Sequence, residues 1–200
     1  MREKKSRKSN FSINNYIWLS SIIKAIEEIL PYYRKINRVI SFQQDDEARS
    51  YLVKNADVAS NMIVAEFGIG SGEMTRMILS KFKLPSIVVF DASRNIVKQT
   101  KENLSLFKVE VSSVIGVFEH LPFKNEVFDR IFASFALQDS LHKNFAVKEF
   151  YRVCKRGGKV LIANIGKPDS IIARFIMSFY MRFLMPLIVK ILIFKRVSGN

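Results

Sequence analysis

The sequence predicts an α/β fold, a doubly wound parallel sheet behind N-terminal helices, on three observations. First, an apolar run over 62–67 ends in Glu66-Phe67, opens into Gly68-Ile69-Gly70-Ser71-Gly72, and passes into helical apolar spacing over 73–82. Second, four more short apolar runs alternate with helical stretches, with turn residues between them. Third, 200 residues of 48% hydrophobic content bury one good core, and no internal repeat is visible, so one main domain is expected.

Taken in order, residues 1–10 are a Lys/Arg/Ser-rich tail, read as solvated and able to touch an anionic surface. Ile13, Ile17, Leu19, Ile22, Ile23, Ile26, Ile29 and Leu30 fall mostly on one helical face, widened by Tyr16 and Trp18, and Pro31 ends that helix. Residues 32–52 carry a second amphipathic pattern, broken at Asp45-Asp46-Glu47. Strand one is expected over 62–67, helix one over 73–82 and strand two over 86–90, ending in Asp91. Asp91-Ala92-Ser93 then starts a helix completed over 97–107, with Ser93 as its cap. Strand three is expected over 108–117, followed by a tight corner, Gly116-Val117-Phe118-Glu119-His120-Leu121-Pro122-Phe123. Strand four follows over 127–135, a helix over 145–154 broken by Arg156-Gly157-Gly158, and strand five over 159–165. The organisation is therefore a basic tail and helical lid over 1–55, an α/β core over 56–168, and an apolar, basic helical segment over 169–200.

The glycine spacing narrows the ligand. A dinucleotide fingerprint would need a third glycine where Glu73 stands, and the carboxylate of Glu66 would repel a pyrophosphate. A carboxylate at that end of the strand suits a cationic ligand instead. Asp91 lies at the separation from Gly70 at which a nucleotide-binding βαβ unit places an acid on ribose hydroxyls. The net charge of +14 favours anionic partners, phospholipid headgroups, nucleic acid or an acidic substrate, without saying which. One cysteine, Cys154, excludes an internal disulfide framework and a cysteine metal cluster, and no metal is expected. The apolar stretch after the basic start is too interrupted for a cleavable signal, which points to the cytoplasm.

Glu66 to Gly72 resembles the first motif of the class I S-adenosylmethionine-dependent methyltransferases, whose fold is Rossmann-like. Gly116 to Phe123, Val127 to Leu137, and Phe150-Tyr151-Arg152-Val153-Cys154-Lys155-Arg156-Gly157-Gly158-Lys159-Val160-Leu161 are similar to the ubiquinone/menaquinone C-methyltransferase family. So are Tyr33-Arg34-Lys35-Ile36-Asn37-Arg38-Val39-Ile40-Ser41-Phe42 upstream and Gly166-Lys167-Pro168 with an aromatic helix downstream. The resemblance implies that Glu66, Gly68, Gly70, Gly72 and Thr75 surround the methionine part of S-adenosylmethionine. It implies that Asp91 holds the ribose, Val117 and Phe118 flank the adenine, and Ser134 lines the site. The implied substrate is a prenylated quinol, methylated on carbon.

Departures accompany the likeness. The family usually has an acid where Val117 stands, and Arg-Asn where this chain has Gln138-Asp139. The family also runs on through a final strand pair, which this sequence lacks. For a base near the substrate hydroxyl, Asp139, His142 and Tyr33 are the candidates, ahead of Asn37 and His120. Each also has a plain structural role open to it: helix cap for Asp139, surface for His142, core for Tyr33. Another small-molecule or RNA methyltransferase is the rival enzyme, although Ser134-Phe135-Ala136-Leu137 is not the Asn/Asp-Pro-Pro-aromatic grip used on planar nitrogens. A non-catalytic membrane-surface module is the rival from outside enzymology. Residues 171–194 are apolar enough to cross a bilayer, but Arg174, Arg182, Lys190 and Pro186 favour a basic helix pair lying on the inner face of the cell membrane or capping the site.

Overall fold

β1 (Val64–Phe67) is buried at all four positions, as a central strand of a parallel sheet must be when helices cover both faces. The computed structural model, which describes residues 13–41, 43–166 and 168–190, places β1 between β2 (Ser86–Asp91) and β4 (Phe128–Ser134). β3 (Glu110–Ile115) flanks β2 and β5 (Cys154–Ala163) flanks β4, giving the order β3-β2-β1-β4-β5 with every pair parallel. The chain winds outward from β1 to β3, then crosses back to β4. That reversal opens a crevice at the carboxyl ends of β1, β2 and β4, where ligands bind in open α/β sheets.

Alternation along β1 sends Val64 and Glu66 to one face, Ala65 and Phe67 to the other. On the first face Val64 joins Ile69, Met74, Ile78 and Val89 beneath α4 (Glu73–Lys81) and α5 (Arg94–Leu104). On the second, Phe67 meets the rings of Phe90, Phe123, Phe128 and Phe150 at centroid separations of 5.6, 6.0, 5.7 and 5.1 Å. Phe150 comes from α6 (Lys143–Val153). Such aromatic pairs add about 0.5–1.5 kcal/mol each beyond the area they bury. The rigid base beneath the crevice is this ring cluster.

Several boundaries differ from the sequence expectation, each for a local reason. β1 starts at Val64 because the amide of Ile63 donates to the Asp129 carboxylate at 2.8 Å instead of joining a ladder. α5 starts at Arg94, capped by the Ser93 hydroxyl, which accepts from the Ile96 amide. β3 is shorter than expected, and the corner after it turns on the His120 amide bonding the Val117 carbonyl. Arg156-Gly157-Gly158 does not break the helix; α6 ends at Val153, and the three residues bulge out of β5. The register there jumps from Phe128 opposite Cys154 to Arg130 opposite Lys159.

The N-terminal region forms α1 (Ile13–Ile29), α2 (Tyr33–Ile40) and α3 (Gln44–Lys54). The break in the second pattern falls at Gln43, in the left-handed region (φ 67°), and not at the acids. Asp45, Asp46 and Glu47 instead occupy the first turn of α3, where the amide ends of the helix favour negative charge. At the other end of the chain α7 (Ile171–Phe179) runs without interruption through a π-helical stretch, Tyr180–Leu184, to Lys190. Among the described residues, 171–190, the expected helix pair is therefore one helix. The wider turns just before Pro186 absorb a ring and a missing N–H that would otherwise kink it. The tail of residues 1–10, Phe42, Lys167, residues 191–200 and the side chains of Ile13 and Tyr16 all entered the sequence reading and lie outside what is described. Among the described residues β5 is an edge strand.

Candidate active site

The glycine turn after β1 is pinned between two strands. The Gly68 amide donates to the Phe90 carbonyl at 2.7 Å, and φ is +80°. A Cβ there would come within 2.2 Å of the Ala136 Cβ, so only glycine lets the loops after β1 and β4 meet. Gly70 is the opposite case: φ is +48°, but a Cβ would meet nothing within 4 Å. Its open side faces the crevice, which leaves the backbone approachable. The Gly70 carbonyl accepts from the Thr100 hydroxyl at 2.6 Å and its amide donates to the Asp91 carboxylate at 3.3 Å. Gly72 serves α4 from behind, close against Thr100.

Two carboxylates stand at the ends of β1 and β2. Glu66, 1% exposed, accepts from the Thr75 hydroxyl, and burial pushes its pKa up to about 8. Asp91 accepts from the Ser93 amide at 3.0 Å as well as from Gly70, and burial raises its pKa too. Thr75, fully buried, does not reach the crevice; it holds Glu66. The energetic consequence is testable. Glu66 keeps its proton in the fold from its ordinary value of 4.5 up to about 8. Over that window the folded state holds more protons than the unfolded one, so stability falls as pH rises, by about 1.4 kcal/mol per pH unit at most. Glu66→Gln is expected to flatten this slope in thermal unfolding followed from about pH 5 to about pH 8. Parallel curves for the two proteins would mean that Glu66 is ionised throughout.

The crevice consists of two adjoining cavities that share Ile26, Gly68, Asp91, Ile96, Ala136 and Asp139. One is polar, with Glu66, Gly70, Ser134, Tyr33 and Arg49 in its wall. The other is apolar, with Val117 and Phe118 facing Leu19, Ile22 and Ile23 of α1. α1 is fastened there by Glu27, which accepts from the Ser93 hydroxyl and from the Asn95 amide group at 3.3 Å. A third cavity of about 870 Å³ meets the polar one at Tyr33 and Phe135 and extends beneath α7. Its wall combines Ile176, Met177 and Leu184 with three amide side chains, Asn37, Gln138 and Asn164.

The structure thus brings together Glu66, Gly68, Gly70, Asp91, Val117, Phe118, Ser134, Tyr33 and Asp139 around one cleft. Asp139 borders both halves, and burial pushes its pKa up to about 6. It does not cap α6; His142 occupies that position. His142 itself is exposed, its ring edge-on to Phe145 at 5.9 Å, and lines none of the three cavities. Burial raises the Tyr33 phenol above its ordinary value, so it stays protonated.

Two residues escaped the sequence reading. Arg49 is 4% exposed, pairs with Asp45 at 2.7 Å and stacks 5.1 Å from the Phe135 ring centroid. Its signal was the Asp45–Arg49 spacing of one helical turn. Glu119 faces the apolar half and accepts from the Ser140 hydroxyl at 2.7 Å and the His142 amide at 2.9 Å. Its signal was a lone acid in an apolar corner.

The sequence pattern of the ubiE/COQ5 methyltransferase family matches residues 17–197. The chain is 28% identical over 170 residues to the ubiquinone/menaquinone biosynthesis C-methyltransferase UbiE of Geotalea daltonii, spanning 84% of this chain and 72% of that protein. It is 30% identical over 171 residues to the demethylmenaquinone methyltransferase of Anoxybacillus flavithermus, again 84% and 72%. Among solved structures it superposes on YcgJ from Bacillus subtilis with a TM-score of 0.60 and 22% identity, over 68% of this chain and 58% of that one. A SAM-dependent methyltransferase from Aquifex aeolicus aligns with a TM-score of 0.50 and 19% identity, over 62% and 66%. The structural likenesses establish a Rossmann-like fold.

Proposed function

The chain belongs to the ubiE/COQ5 methyltransferase family, and from that premise we propose that it transfers a methyl group from S-adenosylmethionine to a ring carbon of a prenylated quinol. Both named relatives are quinone-pathway methyltransferases. The cleft fits the cofactor that the family implies. Open space stands over Gly70, and two carboxylates, the buried Glu66 and the half-buried Asp91, have no ion-pair partner among the described residues. A buried carboxyl without a counter-charge is costly and suits a ligand that brings a cation or donors.

Glu66 would take the ammonium, Asp91 the ribose hydroxyls, and Val117 and Phe118 the adenine, with Ile22, Ile23 and Ile26 of the helical lid closing over them. Glu119, not position 117, is the acid at the adenine end. When bound, S-adenosylmethionine supplies an electrophilic methyl on its sulfonium. The chain's part is to align a ring carbon with that methyl, exclude water and take a proton from the ring hydroxyl. Asp139 is the residue assigned to that proton, with the protonated Tyr33 donating to a ring oxygen.

The observation that carries the substrate reading is the third cavity, which is large, mainly apolar and joined to the cofactor cleft at Tyr33 and Phe135. A prenyl tail would leave it along α7, whose span Ile171–Lys190 has a mean hydropathy of 1.6 and no buried residues. Arg174, Arg182 and Lys190 on the same helix suit anionic headgroups, so the protein is read as cytoplasmic and peripheral on the inner face of the membrane. The test is methyl transfer from labelled S-adenosylmethionine to demethylmenaquinol in phosphatidylglycerol vesicles. Label in the quinone supports the reading. Tight cofactor binding with no turnover on any quinol would leave a non-catalytic surface module instead.

A further inference from the structure

Along α4, meeting the polar half of the cleft at Glu73, lies a groove of about 620 Å³, bounded by α3 and α4 and by Arg34 of α2. Four cations line it, Arg34, Lys54, Arg76 and Lys81, against one acid, Glu73, with the hydroxyls of Ser50 and Ser80 between them. The proposed methyl transfer uses none of these side chains. Two of the cations are engaged: Arg34 pairs with Glu73 at 3.4 Å, and Lys81 donates to the Val53 carbonyl at 3.2 Å. Lys54 and Arg76 have no acceptor among the described residues.

Arg76 is the informative one. Its Nε–H is out of solvent and unbonded, the one buried side-chain polar atom without a partner among the described residues. An unpaired buried donor on a guanidinium is costly and is normally answered by a carboxylate or a carbonyl. Here the protein supplies neither, while the guanidinium faces a groove of surplus positive charge. The last-turn positions of Lys54 and Lys81 offset the carbonyl ends of α3 and α4, which would otherwise repel an anion.

We propose that this groove is a phosphate-ester site, adjoining the methyl-transfer cleft at Glu73 but sharing none of its proposed cofactor or substrate contacts, with Arg76 and Lys54 holding the phosphate oxygens and Ser50 and Ser80 donating beside them. A guanidinium fork with ammonium groups and hydroxyls around it matches a tetrahedral dianion better than a single carboxylate. No aromatic ring lines the groove, so it offers no platform for stacking the bases of a nucleic acid. The phosphate belongs either to a soluble metabolite or to a lipid headgroup.

The test titrates inorganic phosphate and glycerol 3-phosphate into the full chain at fixed ionic strength, by calorimetry. The wild type is compared with Arg76→Gln/Lys54→Gln and with a control carrying the same charge loss elsewhere, Lys108→Gln/Lys124→Gln, at two exposed positions. Saturable binding that the groove variant weakens about tenfold or more, and the control leaves within about twofold, is the expected result. No saturable binding by the wild type overturns the proposal. So does an equal loss in both variants, which would assign the effect to the general field of a +14 chain. Lys54→Gln alone, at an exposed position, keeps the test decisive if Arg76→Gln does not fold. Flotation with phosphatidylglycerol and phosphatidylcholine vesicles separates the sources. Loss of anionic-vesicle binding in the groove variant identifies a headgroup, and unchanged vesicle binding identifies a soluble ester.

Discussion

Asp91→Ala is expected to weaken S-adenosylmethionine binding by about a hundredfold or more, from the loss of charge-assisted hydrogen bonds worth roughly 1.5–3 kcal/mol each. The carboxylate borders both halves of the cleft and organises its own surroundings, accepting from Gly70 at 3.3 Å and Ser93 at 3.0 Å. Removing it takes away the acceptor proposed for two ribose hydroxyls and loosens the turn that presents Gly70. Asp91→Asn keeps the shape and one acceptor, so its affinity should fall between the two. The sign of the stability effect separates binding from folding. Burial raises the Asp91 pKa, so its ionised form opposes folding at neutral pH, and the Asn variant should unfold no earlier than wild type. Calorimetric titration with thermal unfolding of the same samples is the measurement. Binding by the Ala variant within about threefold of wild type would remove Asp91 from the cofactor site.

Asp91 was legible because everything that defines it is local. The end of a strand, a glycine turn 21 residues earlier and a capping serine two residues later are all visible in one dimension. The same is true of Glu66, which closes a short apolar run just before the glycines. Arg49 and Glu119 were not legible in that way. Each looks like an ordinary surface charge until the fold brings Phe135 over one and the Ser140 loop onto the other. The bulge in β5 and the π-helical stretch before Pro186 were missed for a related reason. Both are accommodations to neighbours, the carbonyl of Asp129 close beside Gly158 in one case and a proline ring in the other, and glycine and proline were read as stops. His142 is the converse: a residue type suited to acid–base work, placed by the fold outside the cleft.

The proton-transfer role proposed for Asp139 rests on its place in the cleft. It borders the cofactor halves beside Tyr33 and Phe135, the residues through which the large apolar cavity opens. Burial lifts it to about 6, the range in which a carboxylate is still ionised at neutral pH yet basic enough to share a phenolic proton. Asp139→Asn should therefore lower kcat by about 10²–10⁴ with little change in the KM for S-adenosylmethionine. The base works deprotonated, so wild-type kcat/KM should rise with pH through about 6 and level off above it. The residual activity of the variant should lack that limb. Folding is not the confounder, because a carboxyl raised from 3.8 to about 6 weakens the fold as pH climbs through that window, and the amide escapes the penalty. Methyl-transfer rates across pH, beside thermal unfolding, read all three effects. If the variant retains a tenth or more of kcat with its acid limb intact, the proton goes elsewhere, and the protonated Tyr33 becomes a residue that positions the ring without any base beside it.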